Sequence, residues 1–240
     1  MKHKSFTEDI KFIRNKLASG EPFSFSKYSD GEYAILKDRL ITNCDGWTYN
    51  PATDGFYKEM LLNSLQYRDP SYYVGVSCVC CNGEHDANDM KQMSGQDIEH
   101  LTWANIFVNS NYRYYIKEII PLYGKYDVYL VANERAKLKY LPFEVKKHYK
   151  IGDLAWKNDY DLIEQIKKDI DNDNISKSLF LFCAGPLGNM LAHQLSEHNK
   201  ENTYMDIGST LNIHLLGPSG KNRGYLRGES SLNKVCRWGN

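Results

Sequence analysis

Asp30 and Glu32 flank Gly31 directly after the run Phe23-Ser24-Phe25-Ser26-Lys27-Tyr28-Ser29. Phe23 and Phe25 alternate with Ser24 and Ser26, a pattern that predicts a strand with one buried face. Gly31 breaks the alternation, and Glu32-Tyr33-Ala34-Ile35-Leu36 reads as the start of a helix. The two carboxylates therefore fall in a strand-to-helix turn, where both can face one hard cation. Such cations are commonly held by one or two carboxylates together with substrate phosphates. The same residues also read as an N-cap Asp followed by a first-turn Glu favoured by the helix dipole. From these residues alone, both readings stand.

Three further groups carry potential chemistry. Ala184-Gly185-Pro186-Leu187-Gly188-Asn189 follows a nearly continuous apolar run and opens a helical pattern. Glycines there let a backbone approach closely, and free N–H groups at a helix start favour phosphate. The run is neither a Walker motif nor a complete Gly-x-Gly-x-x-Gly fingerprint, and a plain tight turn is the alternative. Pro186 removes one donor but suits a first helical turn. The stretch Gly217 to Arg227 is glycine-rich and basic. It reads either as a lid whose Arg223 or Lys221 closes on a diphosphate, or as a solvated tail. Cys78-Val79-Cys80-Cys81 lacks the familiar zinc-ligand spacing and a second ligand pair, so no zinc is expected. The seven histidines are dispersed, and His193 and His214 read as structural.

Elements must position these groups. A first helix is expected from about Thr7 to Ala18, with Phe6, Ile10, Ile13 and Leu17 as its apolar stripe, Thr7 as cap and Gly20 as stop. A second runs from Phe56 to Tyr67. Strands are expected at 72–76, 105–108, 126–131, 178–183 and 203–207, with a charged surface helix and loop from Ile166 to Lys177. Strands alternating with helices imply a mostly parallel sheet. The turns at Ser29-Asp30, Asn109–Asn111, Asn133-Glu134, Gly185–Gly188 and Asp206–Ser209 would then share one edge and enclose a polar, nucleotide-sized crevice. The 18 tyrosines and 4 tryptophans could supply stacking faces there.

Bulk properties narrow the class. The chain of 240 residues is 42% hydrophobic, enough for one α/β domain with a substantial core. Lys+Arg and Asp+Glu both number 30, so no global field gathers nucleic acid. The amino-terminal residues carry no apolar h-region, and no stretch is long and apolar enough to span a bilayer. Six cysteines, three of them clustered, do not form a secreted disulfide framework, and a cytoplasmic location is expected.

With these motifs in view, the chain resembles the GT-D-fold glycosyltransferases, whose signature is an Asp-x-Glu turn after the first strand. The likeness lies in Phe25-Ser26-Lys27-Tyr28-Ser29-Asp30-Gly31-Glu32, in Leu181 to Gly188, and in Tyr204-Met205-Asp206-Ile207-Gly208-Ser209. It spans roughly residues 8 to 217. Lys27-Tyr28-Ser29 stands where the family usually has Arg-Phe-Gly. The resemblance implies a single Rossmann-like α/β domain over 1–217, followed by a basic tail or lid over 218–240. It also implies transfer of a hexosyl or pentosyl group from a nucleoside diphosphate sugar, such as a UDP-sugar, to a hydroxyl of a glycan or glycoconjugate. Asp30 and Glu32 would hold Mn²⁺ or Mg²⁺. Ser29, the backbone of Gly185, Pro186, Leu187 and Gly188, and Arg223 would contact the diphosphate. A base must take the acceptor proton, and Asp206, then Glu134, are the candidate carboxylates. A non-catalytic nucleotide-binding module and another α/β enzyme, such as a methyltransferase, are the competing classes.

Overall fold

The computed structural model describes residues 5–44, 46–220, 223–227 and 230–239. Among them, seven strands form one sheet, and every paired neighbour runs parallel. In chain order the strands are β1 (Ser24–Tyr28), β2 (Ile41–Thr42), β3 (Thr48–Tyr49), β4 (Tyr72–Val76), β5 (Leu101–Trp103), β6 (Val128–Asn133), β7 (Lys147–Ile151), β8 (Leu179–Cys183) and β9 (Thr203–Asp206). The sheet order is β5-β4-β1-β9-β8-β6-β7, and β2 and β3 make a separate antiparallel hairpin. β1 and β9 lie at the centre, with Ser24 opposite Tyr204 and Phe25 opposite Met205.

The helices that cover the sheet follow the apolar pattern. α1 (Phe6–Ser19) buries Phe6, Ile10, Ile13 and Leu17, and Gly20 ends it in the left-handed conformation at φ 73°. The residue at its N-cap is Ser5, not Thr7. α2 (Asp30–Leu36) follows β1 directly, and α3 (Gly55–Gln66) precedes β4. α4 (Glu84–Ser94) buries only Ala87, Met90 and Ser94, too thin a stripe to read from sequence. α5 (Leu162–Asn172) turns Ile163, Ile166 and Ile170 inward, and α6 (Pro186–His198) buries most of its length. Two cores result. One packs Leu61, Leu65, Ile166, Met190 and Leu191 on one face; the other packs Ile10, Ile13, Phe107 and Tyr115 on the opposite face.

This two-sided covering corrects the expectation of one buried face on β1. Ser24 and Ser26 are as buried as Phe25, because a central parallel strand has helices on both sides. Ser26 is satisfied there: its hydroxyl donates to Tyr28 Oη at 3.1 Å and accepts from Asn189 Nδ2 at 3.0 Å.

Other boundaries also moved. The strand expected at 105–108 lies instead at Leu101–Trp103. After the Ala104 amide bonds the Val76 carbonyl, the chain turns, with Ile106 N–H on Trp103 O and Val108 N–H on Asn105 O. Ile106 and Phe107 are apolar because they enter the core from a turn. β6 begins two residues later than the pattern suggested. β7 is missing from the sequence reading; it is an edge strand, and only its Tyr149 and Ile151 are buried. No helix among the described residues is long and apolar enough to cross a membrane.

Candidate active site

Because the strands are parallel, their carboxyl ends share one edge, and a cleft of about 660 Å³ opens there. Its walls come from the turns after β1, β5, β6, β7, β8 and β9, together with the β2–β3 hairpin and the C-terminal segment.

The Asp-Gly-Glu turn stands at its centre. Ser29, not Asp30, is the N-cap of α2, and the backbone N–H of Ser29 donates to Glu32 Oε2 at 2.9 Å. Glu32 therefore closes a capping box while its carboxylate borders the cleft. Asp30 is exposed in the first helical turn and also lines the cleft. Trp47, from the hairpin, lies across two of the turns. A Cβ on Gly31 would stand 2.8 Å from its ring, and one on Gly185 3.3 Å. Gly185 also sits at φ 56°, where a side chain is strained. The approach of the indole thus excludes a side chain at Gly31, and at Gly185 it adds to the strain of the positive φ.

Cationic side chains line the same cleft. Lys27 lines it at the end of β1, with its stem against Gly208 in the turn after β9. Arg223 lines it from the C-terminal segment and donates to Cys44 Sγ at 2.9 Å. Tyr225 beside it exchanges a 2.7 Å hydrogen bond with Ser209. Arg135 is on the far wall, paired with Asp153 and donating from Nη1 to Oδ2 at 3.1 Å. That pairing, with Asn133 Nδ2 at 2.9 Å, holds the Asp153 carboxyl below its usual range. Burial pushes the Cys183 thiol up, so it stays neutral in the wall.

The structure separates the residues that sequence reasoning had grouped. Ser29, Asp30, Glu32, Gly185 and Arg223 meet in the cleft; Pro186, Leu187 and Gly188 are buried in α6 and do not line it. Asp206 is enclosed at 2% exposure beneath Gly188, whose added Cβ would lie 3.2 Å from its carboxyl. Burial raises its pKa to about 7; Lys27 pulls the value down and Glu32 pushes it up, while the Gly208 and Lys27 amides favour the charged form. Glu134 is exposed outside the cleft, although its neighbours Asn133 and Arg135 line it. As placed, neither carboxylate expected as a base meets a molecule in the cleft. Lys221 lies outside the described residues. His193 is structural: its ring lies tilted against Tyr67 at 4.5 Å between centroids and bonds Ser64 at 3.3 Å. His214 contacts the Tyr140 carbonyl at 3.2 Å.

Sequence reasoning missed Lys27, Trp47, Arg135, Asp153 and Tyr225 as wall residues. Lys27 was within reach, because it precedes Asp30 by three residues in a strand aimed at the same edge. Trp47 was not, since a two-residue strand leaves almost no periodic signal.

The donor set at the turn fits a hard divalent ion whose shell is completed by phosphate. It supplies carboxylate oxygens from two residues and no nitrogen or sulfur, and one Glu32 oxygen is already engaged by Ser29.

The same architecture is found in solved structures. No protein-family model matches the chain, and no curated protein matches it. A structure from Streptococcus sanguinis described as a new glycosyltransferase (DUF1792) aligns with a TM-score of 0.60 at 13% identity, covering 96% of this chain and 93% of that one. A second, described as the highly conserved domain of unknown function 1792 with a distinct glycosyltransferase fold, aligns with a TM-score of 0.58 at 15% identity, covering 94% and 81%. A selenomethionine structure of domain of unknown function 1792 gives a TM-score of 0.59 at 15% identity, again covering 94% and 81%. This chain has that fold. At such identities the likeness extends to the fold and no further.

Proposed function

We propose that the protein is a metal-dependent glycosyltransferase that moves a sugar from a nucleoside diphosphate donor, a UDP-sugar in the simplest case, to a hydroxyl of a glycan or glycoconjugate. The observation that carries this reading is the meeting of Asp30, Glu32, Lys27 and Arg223 in one cleft at the sheet edge. Solved structures of this fold are described as glycosyltransferases, which supports the same class.

The chemistry required is the replacement of a glycosyl–phosphate bond by a bond to the acceptor oxygen, with negative charge building on the departing diphosphate and the hydroxyl proton passing to that diphosphate or to solvent. Asp30 and Glu32 would hold Mn²⁺ or Mg²⁺, which when bound acts as a Lewis acid toward that charge. The remaining work falls to the chain. Lys27 and Arg223 place fixed positive charge against the diphosphate, and the Gly185 turn admits it close to backbone. The half-buried Tyr225 offers a ring face at the cleft wall for a base or sugar. Asp206 is coupled electrostatically to both Lys27 and Glu32 and so sets the charge balance behind the turn. It acts as a positioning residue.

A panel of UDP- and GDP-sugars, with and without Mn²⁺, tests the reading by thermal stabilisation and by slow donor hydrolysis. Metal-requiring stabilisation by one donor, with hydrolysis or transfer of its sugar, is the expected result. At a hundredfold excess over Kd the stabilisation amounts to about 2.7 kcal/mol. Stabilisation with no sugar ever released would identify a binding module instead. No stabilisation by any nucleotide sugar would remove the donor class.

A further inference from the structure

Far along the chain from the Cys78-Val79-Cys80-Cys81 run stands Cys236, and folding brings it to the same point. The sulfurs of Cys78, Cys80, Cys81 and Cys236 all lie within 4.8 Å of one another, and Cys78 Sγ and Cys80 Sγ are 3.2 Å apart. All four are free thiols; Cys78 and Cys236 are buried, the other two partly so. The expectation that this run lacks ligands for zinc therefore does not hold. Its missing ligand comes from the C-terminal segment, which no local spacing rule could reveal.

The cluster has the shape of a metal site. A tetrahedral ion with metal–sulfur bonds of about 2.3 Å places its sulfurs about 3.8 Å apart, within the observed spread. Cys80 and Cys81 stand on a single helical turn, Val79–Asn82, and Cys78 is its N-cap, its carbonyl accepting from the Cys81 and Asn82 amides at 3.1 Å. Polar groups converge on the sulfurs from outside. Asn105 Nδ2 donates to Cys81 Sγ at 3.2 Å, and Asn109 Nδ2 donates to Cys236 Sγ at 3.2 Å. Asn109 holds a left-handed φ of 55°, a conformation in which asparagine is enriched among non-glycine residues. Lys234, two residues before Cys236, places a positive charge near the sulfurs. Four thiolates around a divalent ion leave surplus negative charge, which amide donors and one lysine are suited to offset.

We propose that Cys78, Cys80, Cys81 and Cys236 bind one zinc ion in a closed tetrathiolate site that fastens the C-terminal segment to the turn after β4. Tetrahedral sulfur ligation selects zinc or iron among common ions, and zinc needs no redox partner. Four protein ligands leave no open position, so the site is structural. Binding converts thiols to thiolates and releases their protons to solvent. The neighbouring contacts show what is fastened. Ser110 N–H bonds Lys234 O at 3.0 Å, Lys91 Nζ bonds Trp238 O at 2.7 Å, and the Trp238 ring meets Trp103 edge-on at 5.1 Å. Upstream, the same segment carries Arg223 and Tyr225 into the cleft. Asn105, which donates to Cys81, is itself a cleft residue, so the site and the cleft share a wall. The inference does not depend on the glycosyltransferase reading.

Elemental analysis and native mass spectrometry of the full chain, purified without chelator, provide the test. The expected result is one zinc per chain, and replacement by Co²⁺ should give the absorption bands of tetrahedral thiolate ligation. Cys236→Ser and Cys80→Ser should each lose the zinc while circular dichroism reports a folded chain. Two variants are needed because the buried Cys236 position is the more sensitive to folding. Asn109→Ala should weaken zinc binding by about 10–100-fold, as loss of an outer hydrogen bond does. Iron in place of zinc, disulfide-linked cysteines, or four freely reactive thiols in the purified chain would overturn the proposal. So would full zinc occupancy in both cysteine variants.

Discussion

Gly31 lies under the six-membered ring of Trp47, so close that a Cβ would stand 2.8 Å from two of its carbons. The contact binds the Asp-Gly-Glu turn to the β2–β3 hairpin, and Trp47 is held in turn by Trp156 at 6.2 Å between ring centroids. A side chain at Gly31 must displace a buried indole that already meets Trp156 edge-on. Gly31→Ala is expected to cost about 1–3 kcal/mol of stability, the usual range for overpacking. Its donor affinity should fall further than that of a variant equally destabilised elsewhere, because the turn carries Asp30 and Glu32. Denaturant unfolding combined with calorimetry of the donor checks both. An unchanged midpoint and affinity would show the ring free to move aside.

Glu32 has two roles that one substitution can separate. Its carboxylate caps the Ser29 amide at 2.9 Å and also borders the cleft. Glutamine keeps an oxygen for the Ser29 N–H but loses the charge. Glu32→Gln should therefore fold with near wild-type stability and lose metal-dependent binding of UDP. Glu32→Ala should lose both, at about 1 kcal/mol for the cap. Calorimetry of Mn²⁺ with and without UDP gives the readout. Binding of Mn²⁺ to the wild type should be weak alone and strengthened by the nucleotide, since two carboxylate residues fill only part of an oxygen shell. Equal affinity in both cases would take the ion out of the turn.

Much of this arrangement was legible in the residues, and the exceptions share a cause. The β1 alternation, the Asp-Gly-Glu break and the Gly185-Pro186 turn each carry a local signal, and the structure places all three at one edge. β7 and the hairpin carry little, because a charged edge strand and two-residue strands need not alternate strictly. The segment 105–108 was misread because burial in a turn and burial in a strand select the same apolar residues. Asp206 illustrates the other limit. Its place in the final turn was readable, but whether a carboxylate faces into or behind a cleft depends on the packing of Gly188 against it. Cys236 shows a third limit, since its partners lie more than a hundred residues away.

Arg223 reaches the cleft from a segment held by Tyr225, whose hydroxyl bonds Ser209 at 2.7 Å. If its guanidinium meets the diphosphate, removing it loses a charge-assisted contact of about 1.5–3 kcal/mol. Arg223→Ala should then weaken UDP binding by roughly 10–100-fold. Its effect on uridine, which has no phosphate, should be small. A similar loss for both ligands would mean that the substitution disturbs the segment as a whole. Normal UDP binding would leave Arg223 as a rim residue with no part in donor binding.

Asp206 makes a pH signature that the unfolded chain lacks. Burial raises its folded pKa from 3.8 to about 7, against the pull of Lys27 and with a push from Glu32. Between these values the folded chain holds a proton that the unfolded chain has lost. Stability must then fall as pH rises, because the unfolded state binds fewer protons throughout that window. The full shift corresponds to roughly 4 kcal/mol at most, lost progressively from about pH 4 to pH 7. Asp69 titrates in the opposite sense; its value of about 2, held down by Lys200 and Ser71 against the effect of burial, places its contribution below this window. Asp206→Asn has no proton to lose, so it should lack this decline and keep only the opposing rise from His148 and His193, whose burial lowers their pKa. The two unfolding curves, measured from pH 4 to 7.5 without added divalent ions, should diverge with the variant gaining relative stability at the higher pH. Parallel curves would mean that Asp206 is already ionised at low pH, with Lys27 and the Gly208 amide outweighing burial.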